Sequence, residues 1–331
     1  MGHRFLVPMS ALVAATAAVL LAPSPVAGQG NTKVAAKTWA VPHTANGQPD
    51  LQGLWTNATI TPFERPKDLA GKEFFTEEEA AAYEKRIAQN SNRDRRGDTA
   101  EADVAGAYND FWFDRGNKIV PTRRTSLVID PPDGKVPPLT AQAQKAAAAR
   151  TEISRRPPWG PEDMGLPERC LLWPTAGPPL LPSGYNNNYQ ILQVPGYVVI
   201  LIEMIHDVRI IPLDGRPHLP QHIRQWLGDS RGRWDGSTLV VDTTNFTDKT
   251  HFRGADQNLH LIERFTRVDP NTILYEFTVD DPAAFTKPWK AQAPLTKTPG
   301  PMYEYACHEG NYSMLNVLKG ARAQEQTEGK N

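Results

Sequence analysis

Residues 226–246 read WLGDSRGRWDGSTLVVDTTNF, and this stretch decides the fold. At its centre, Asp235-Gly236 favours a two-residue turn with positive φ at both positions. The run from Thr238 to Thr244 is rich in β-branched residues, so the two halves form a β-hairpin. A loop at Asp235-Gly236 pairs Trp234 with Ser237, Arg231 with Val240 and Asp229 with Asp242. Side chains alternate across a strand, so Trp234, Leu239 and Val241 share one face. Asp229, Arg231, Arg233 and Asp242 share the other. One hairpin thus carries an apolar face and a charged face.

Strand-like runs flank it on both sides. Residues 189–194, 197–206 and 208–213 precede the hairpin, and 259–268 and 272–280 follow it; 289–295 and 302–307 are less regular. Short links between consecutive strands imply an antiparallel meander. With Gly53-Leu54-Trp55 and residues 123–130, about nine or ten strands are available, enough to close a barrel. The expected fold is all-β with minor helices: an antiparallel up-and-down, lipocalin-like β-barrel, with a β-sandwich as the alternative. A helical and irregular insertion falls around 75–150. Within it, residues 75–89 form a helix whose Thr76 and Glu79 make a capping box, and Thr140 caps a second helix over 140–150. Residues 90–107 read as a solvated charged loop, and 157–183 as a proline-punctuated connection. The aromatic run DFWFDR at 110–115 either packs on the domain or rims a pocket.

The chain has 331 residues, 36 basic against 37 acidic, a formal charge of −1. No basic field suggests nucleic acid or an anionic membrane as partner. Residues 1–28 read as a signal peptide, with Arg4 before an apolar run and Val26-Ala27-Gly28 as a small-residue cleavage site. That run is short of the ~20 residues a membrane span needs, and no later segment could cross a bilayer. Export to the periplasm or beyond gives Cys170 and Cys307 an oxidising compartment, and as the only cysteines they are expected to pair. Residues 29–50 are expected to form a flexible lead, 51–310 a single barrel domain, and 311–331 a C-terminal tail.

Several side chains could carry chemistry. With Val268 opposite Ile273, one face of the 259–280 hairpin collects His260, Arg264, Tyr275 and Phe277, a mixture suited to holding an amphipathic ligand. The other face collects Leu261, Glu263, Phe265 and Glu276. Glu203 lies in an apolar run, where an unpaired carboxylate is costly. It is therefore expected to meet an Arg or a His, with Arg209, Arg231, Arg233 and Arg264 as candidates, in a structural ion pair or as a tuned acid or base. His218 and His222 are four apart, but Pro217 and Pro220 disfavour a helical zinc pair. No local spacing supplies a metal set, which leaves only one assembled from distant strands. No GxSxG, Walker A, GxGxxG or kinase pattern is present. No cofactor is expected.

The segments Ile211-Pro-Leu-Asp-Gly-Arg-Pro-His218, Gly232 to Phe246, Glu263-Arg-Phe265, Asp280-Asp-Pro282 and Lys287-Pro-Trp289 resemble those of a large family of exported bacterial proteins. The resemblance runs from Pro49 to Cys307, implies export and brings no activity with it. Gly53-Leu54-Trp55 separately resembles the GxW at the first strand of lipocalins, where the Trp closes the barrel bottom.

These readings lead to an exported β-barrel that binds a small, partly apolar ligand, with Arg231, Arg264, Tyr275, Phe277 and Trp234 as ligand-binding residues. The alternative is a periplasmic acid–base enzyme, a hydrolase, lyase or isomerase. In it Glu203, His206, His260 or Asp229 would move the proton, and Arg231 or Arg264 would steady negative charge. A third reading is an envelope interaction protein using the charged hairpin face.

Overall fold

A computed structural model of the protein describes residues 39–91, 98–106 and 110–328. The segment expected to be a signal peptide (1–28), with part of the lead (29–50) and part of the 90–107 segment, lies outside the described residues. The unit from Ala40 onward is mostly antiparallel β, a single sheet curled into a nearly closed barrel.

In chain order, β1 (Gly53–Thr56) is followed by the helical insertion: α1 (Glu77–Asn90), α2 (Ala100–Gly106), β2 (Val128–Asp130) and α3 (Ala141–Arg155). The capping box at Thr76 and Glu79 forms, and the Thr140 hydroxyl accepts from the N–H of Ala143. Two meanders then make most of the wall. The first is β3 (Asn188–Val194), β4 (Tyr197–Ile202) and β5 (Val208–Pro212). The second is β6 (Asp229–Asp235), β7 (Thr238–Thr244), β8 (His260–Asp269) and β9 (Thr272–Asp280). β10 (Trp289–Gln292) and β11 (Leu295–Lys297) both pair with β9, on successive parts of it. Pro294 separates them. Lacking an N–H, it cannot continue the ladder, and the sheet forks there: β10 leads to β2, and β11 leads to β1 and the first meander.

The order around the wall is β5-β4-β3-β1-β11-β9-β8-β7-β6. The insertion of β1 and β11 between the meanders modifies a strict up-and-down order. At the C-terminus the expected tail is instead α4 (Tyr312–Glu328), where Arg322 pairs with Glu325 and donates to the carbonyls of Pro158 and Trp159. The expected disulfide joins Cys170 to Cys307, with Cα atoms 5.8 Å apart. No helix among the described residues is long and apolar enough to cross a membrane.

Two registers differ from the sequence reading. In the central hairpin, Asp235 pairs with Thr238 and Trp234 with Leu239. The loop is thus Gly236-Ser237, with φ of +59° at Gly236 alone, the arrangement in which glycine takes the first turn position. The partners move by two residues, so the faces stay as expected. The β8–β9 hairpin is different. A bulge at Val268 sets Arg267 opposite Ile273 and Phe265 opposite Tyr275. This one-residue slip exchanges a whole set of faces. Leu261, Glu263, Phe265 and Arg267 now join Ile273, Tyr275, Phe277 and Val279 inside, while His260 and Arg264 point outward. The bulge lets Arg267 turn inward, where it donates to the carbonyls of Asp50 and Pro270 and lies 5.5 Å from the Trp55 ring centroid. Trp55 is fully buried, and its indole N–H donates to Leu51 O.

The barrel interior is filled with side chains. Trp55, Ile191, Ile200, Leu239, Val241, Leu261, Phe265, Tyr275 and Phe277 are each at most 1% exposed. A buried polar network runs through them. Arg209 on β5 makes a two-pronged pair with Glu263 on β8, at 3.0 and 2.6 Å. Tyr275 donates its hydroxyl to Glu263 at 2.8 Å and accepts from the N–H of Leu180. Arg209 also reaches Ser230 on β6, which bonds Thr243 on β7.

This network spans the gap where the two ends of the main strand path are not joined by a backbone ladder. β5 and β6 are the two ends of the nine-strand path around the wall. They come close at Gly232, where an added Cβ would lie 2.6 Å from Leu213 and 2.8 Å from Ile211. Side chains, not a ladder, hold this seam. Removing one charge strands the other in the interior, which costs about 3–5 kcal/mol. Urea denaturation should therefore show losses of that size for Arg209→Met and for Glu263→Gln, and a double replacement by Met and Leu should lose much less than their sum.

Candidate functional site

The structure places two polar constellations on the outside of the wall. The first is a cleft of about 940 Å³. Trp55, Tyr189 and Leu295 point inward, so by alternation their neighbours Thr56, Asn188 and Thr296, paired across β3, β1 and β11, point outward and form its floor. The 110–118 segment makes one wall. Arg115 ties it down by donating to the Asp110 carboxylate and Ser91 O, and the N–H of Asp114 donates to Gly184 O. This sets Phe111 and Trp112, 85% and 59% exposed, beside the cleft. Tyr185 and Tyr303 complete the aromatic lining.

Glu203 lies in this cleft and is 2% exposed. The expected arginine partner is absent: Arg209 belongs to Glu263, and among the described residues no basic group pairs with Glu203. Its carboxylate instead accepts from the N–H and side-chain amide of Asn188, at 3.3 and 2.8 Å, and from the N–H of Tyr303 at 2.9 Å. The backbone that aims it is strained. Ile205 and His206 both adopt positive φ, 62° and 50°. A β-branched residue in that region costs about 1–3 kcal/mol. The kink ends the expected long strand at Ile202. Desolvation, then the Glu203 charge, raises the Asp114 carboxyl, although its side chain reaches solvent.

The second constellation crosses the outer face of β6, β7 and β8 beneath the β5–β6 connection. His218 sets Nδ1 3.0 Å from Asp229 and Nε2 3.1 Å from Asp242. Asp242 also meets Nε2 of His260, at 3.0 and 3.1 Å. Asp229 accepts from Arg231 at 2.6 Å and from the N–H of Leu219. Carboxylates only accept, so both His218 contacts are hydrogen bonds when both ring nitrogens carry hydrogen. The hydrogen bond from His260 holds the Asp242 carboxyl below its usual range, and the same bond raises the His260 imidazole.

The sequence-predicted residues therefore divide. Asp229, Arg231 and His260 come together in the second constellation, joined by His218 and Asp242. Glu203 lines the first. His206 is exposed and donates through Nδ1 to Tyr305 O; its N–H donates to the Glu203 carbonyl at 3.2 Å, and its ring makes no hydrogen bond to the Glu203 carboxylate. Arg264 pairs with Asp235 on the outer surface. Tyr275 and Phe277 are in the core, where Phe277 packs against Phe252 and Trp289. Trp234 is half-buried against the core. The five expected ligand-binding residues do not meet on one surface. Among the described residues no group of three or more His, Cys, Asp or Glu is placed to hold a metal ion. Sequence reasoning passed over Asp207, half-buried beside the seam with one carboxylate oxygen unpartnered among the described residues, and burial raises it to about 6. It also passed over the Arg209–Glu263 pair, whose signal was Glu263 alternating with Leu261 and Phe265.

The His260–Asp242 contact gives a signed pH dependence. A raised imidazole contributes stability below its unfolded value, about 6.5, and loses it as pH rises through the folded value. A lowered carboxyl contributes above its unfolded value, about 3.9, and loses it as pH falls through the folded value. Thermal melts of the protein and of His260→Gln should differ most from about pH 4 to 6.5 and converge on either side. Both side chains are 36% exposed, so solvent screening keeps the difference under about 1 kcal/mol.

No family model, curated protein or solved structure matches the chain.

Proposed function

We propose that the protein is an exported β-barrel that binds a small, partly apolar molecule in the cleft outside β3, β1 and β11. The observation that carries this reading is the convergence of Phe111, Trp112 and Tyr303, all largely exposed, with the buried Glu203 on one concavity of about 940 Å³. Solvent-facing aromatics around a few fixed polar groups suit a site that takes affinity from apolar area and orientation from hydrogen bonds. The filled interior supports a seat on the wall over one inside it. The Cys170–Cys307 disulfide supports an oxidising, extracytoplasmic setting. Native mass spectrometry of protein from a periplasmic extract is expected to show a bound small molecule that is lost from Trp112→Ala. A protein that carries no molecule, and that binds none from a fragment screen by NMR, would sink the proposal.

The hydrogen-bonded run Arg231–Asp229–His218–Asp242–His260 favours a second reading, acid–base catalysis. Two imidazoles sharing one carboxylate could accept and return a proton without leaving the surface. On this reading, turnover in a panel of ester, amide and glycoside substrates falls at least about a hundredfold in Asp242→Asn and is unchanged in Trp112→Ala. Wild-type protein that turns over nothing in the panel would remove it.

A further inference from the structure

We infer that the ligand of the cleft is a cation, an organic ammonium carrying an apolar or aromatic group; this rests on the binding reading above. Glu203, Asp114 and Lys118 are the charged residues lining the cleft. The Lys118 ammonium is already committed: it donates to Glu84 at 2.7 Å. Neither Glu203 nor Asp114 has an ion pair among the described residues, so the lining keeps two carboxylates and no uncommitted cation.

Burial sharpens this. At 2% exposed, Glu203 has exchanged water for three neutral N–H donors, two on one oxygen and one on the other. A carboxylate accepts about four hydrogen bonds, which leaves the oxygen facing Tyr303 with capacity for another donor. A buried charge without a counter-charge is expensive, and the kinked backbone at Ile205 and His206 holds it there at further cost. An ammonium donor supplies both the missing hydrogen bond and the counter-charge.

The walls point the same way. The faces of Trp, Tyr and Phe attract cations most strongly where water is excluded, and Phe111, Trp112, Tyr185 and Tyr303 all line the concavity. A neutral polyol would use the aromatics and the amides. It would leave both negative charges uncompensated.

The test is isothermal titration calorimetry of the full chain with phenethylammonium and its neutral analogue 2-phenylethanol. The expected result is saturable ammonium binding, at least about tenfold tighter than the alcohol. Glu203→Gln should bring the ammonium down to the alcohol's affinity. Should Glu203→Gln fail to fold by near-UV circular dichroism, Asp114→Asn, altered at a side chain that reaches solvent, should weaken the ammonium several-fold and leave the alcohol unchanged. Equal affinities for the two probes would overturn the cation inference and leave the binding site standing. Tighter ammonium binding that neither variant reduces would also overturn it, by placing the cation elsewhere. Binding of neither probe at millimolar concentration would overturn both the inference and the cleft.

Discussion

The two-pronged contact between Arg209 and Glu263 is the constraint on which the barrel depends. A sheet that curls without closing leaves two edge strands, and exposed edges invite pairing with other chains. Here the gap between β5 and β6 is bridged from inside. The guanidinium on one edge is held by a carboxylate two strands beyond the other edge, with Ser230 and Thr243 linking the strands between. Tyr275 and Leu180 fix the carboxylate in turn, so the network ties five strands to the irregular 157–183 connection. Gly232 supplies the space in which the two edges meet. The interior is thereby filled and fastened, and both polar constellations lie on the outer surface.

Both candidate sites follow from the same alternation. Each wall strand spends its inward side chains on the core, so its outward ones are free to be polar. On β6, β7 and β8 they are Asp229, Arg231, Asp242 and His260, and the connection across the seam delivers His218 to them. On β1, β3 and β11 they are Thr56, Asn188 and Thr296, and the insertion delivers Phe111 and Trp112. In each case the strands give a fixed platform, and a loop crossing over it supplies the remaining groups. Loops placed on a rigid scaffold are where function concentrates.

What could be read from the sequence was whatever neighbours in the chain determine. The Thr76–Glu79 capping box, the Thr140 cap and the hairpin around Gly236 each rest on contacts a few residues apart. The Cys170–Cys307 bond was legible because no other pairing existed. The faces of β6 and β7 also survived, because Asp-Gly and Gly-Ser are alternative turns two register steps apart and an even slip preserves sides. The faces of β8 and β9 did not, because the bulge at Val268 answers to Trp55 and Asp50, more than two hundred residues away. Glu203 shows both limits: its burial followed from the apolar run around it, but its neutral partners came from Asn188 and from the Tyr303 backbone. The aromatic run at 110–115 was legible as a pocket rim only as one of two options, since nothing local says which surface it lies against.

The disulfide has a bearing on the cleft beyond fastening two distant segments. Cys307 lies four residues past Tyr303, whose N–H holds one oxygen of Glu203. Cys170 lies in the connection whose later part brings Leu180 to Tyr275 in the core. Oxidation therefore clamps the strap carrying Tyr303 to the same connection that anchors the interior network. Where thiols are kept reduced, that strap loses its covalent hold on the connection. The hydrogen bond from Tyr303 to Glu203 is thus backed by a covalent link only while the two sulfurs are joined.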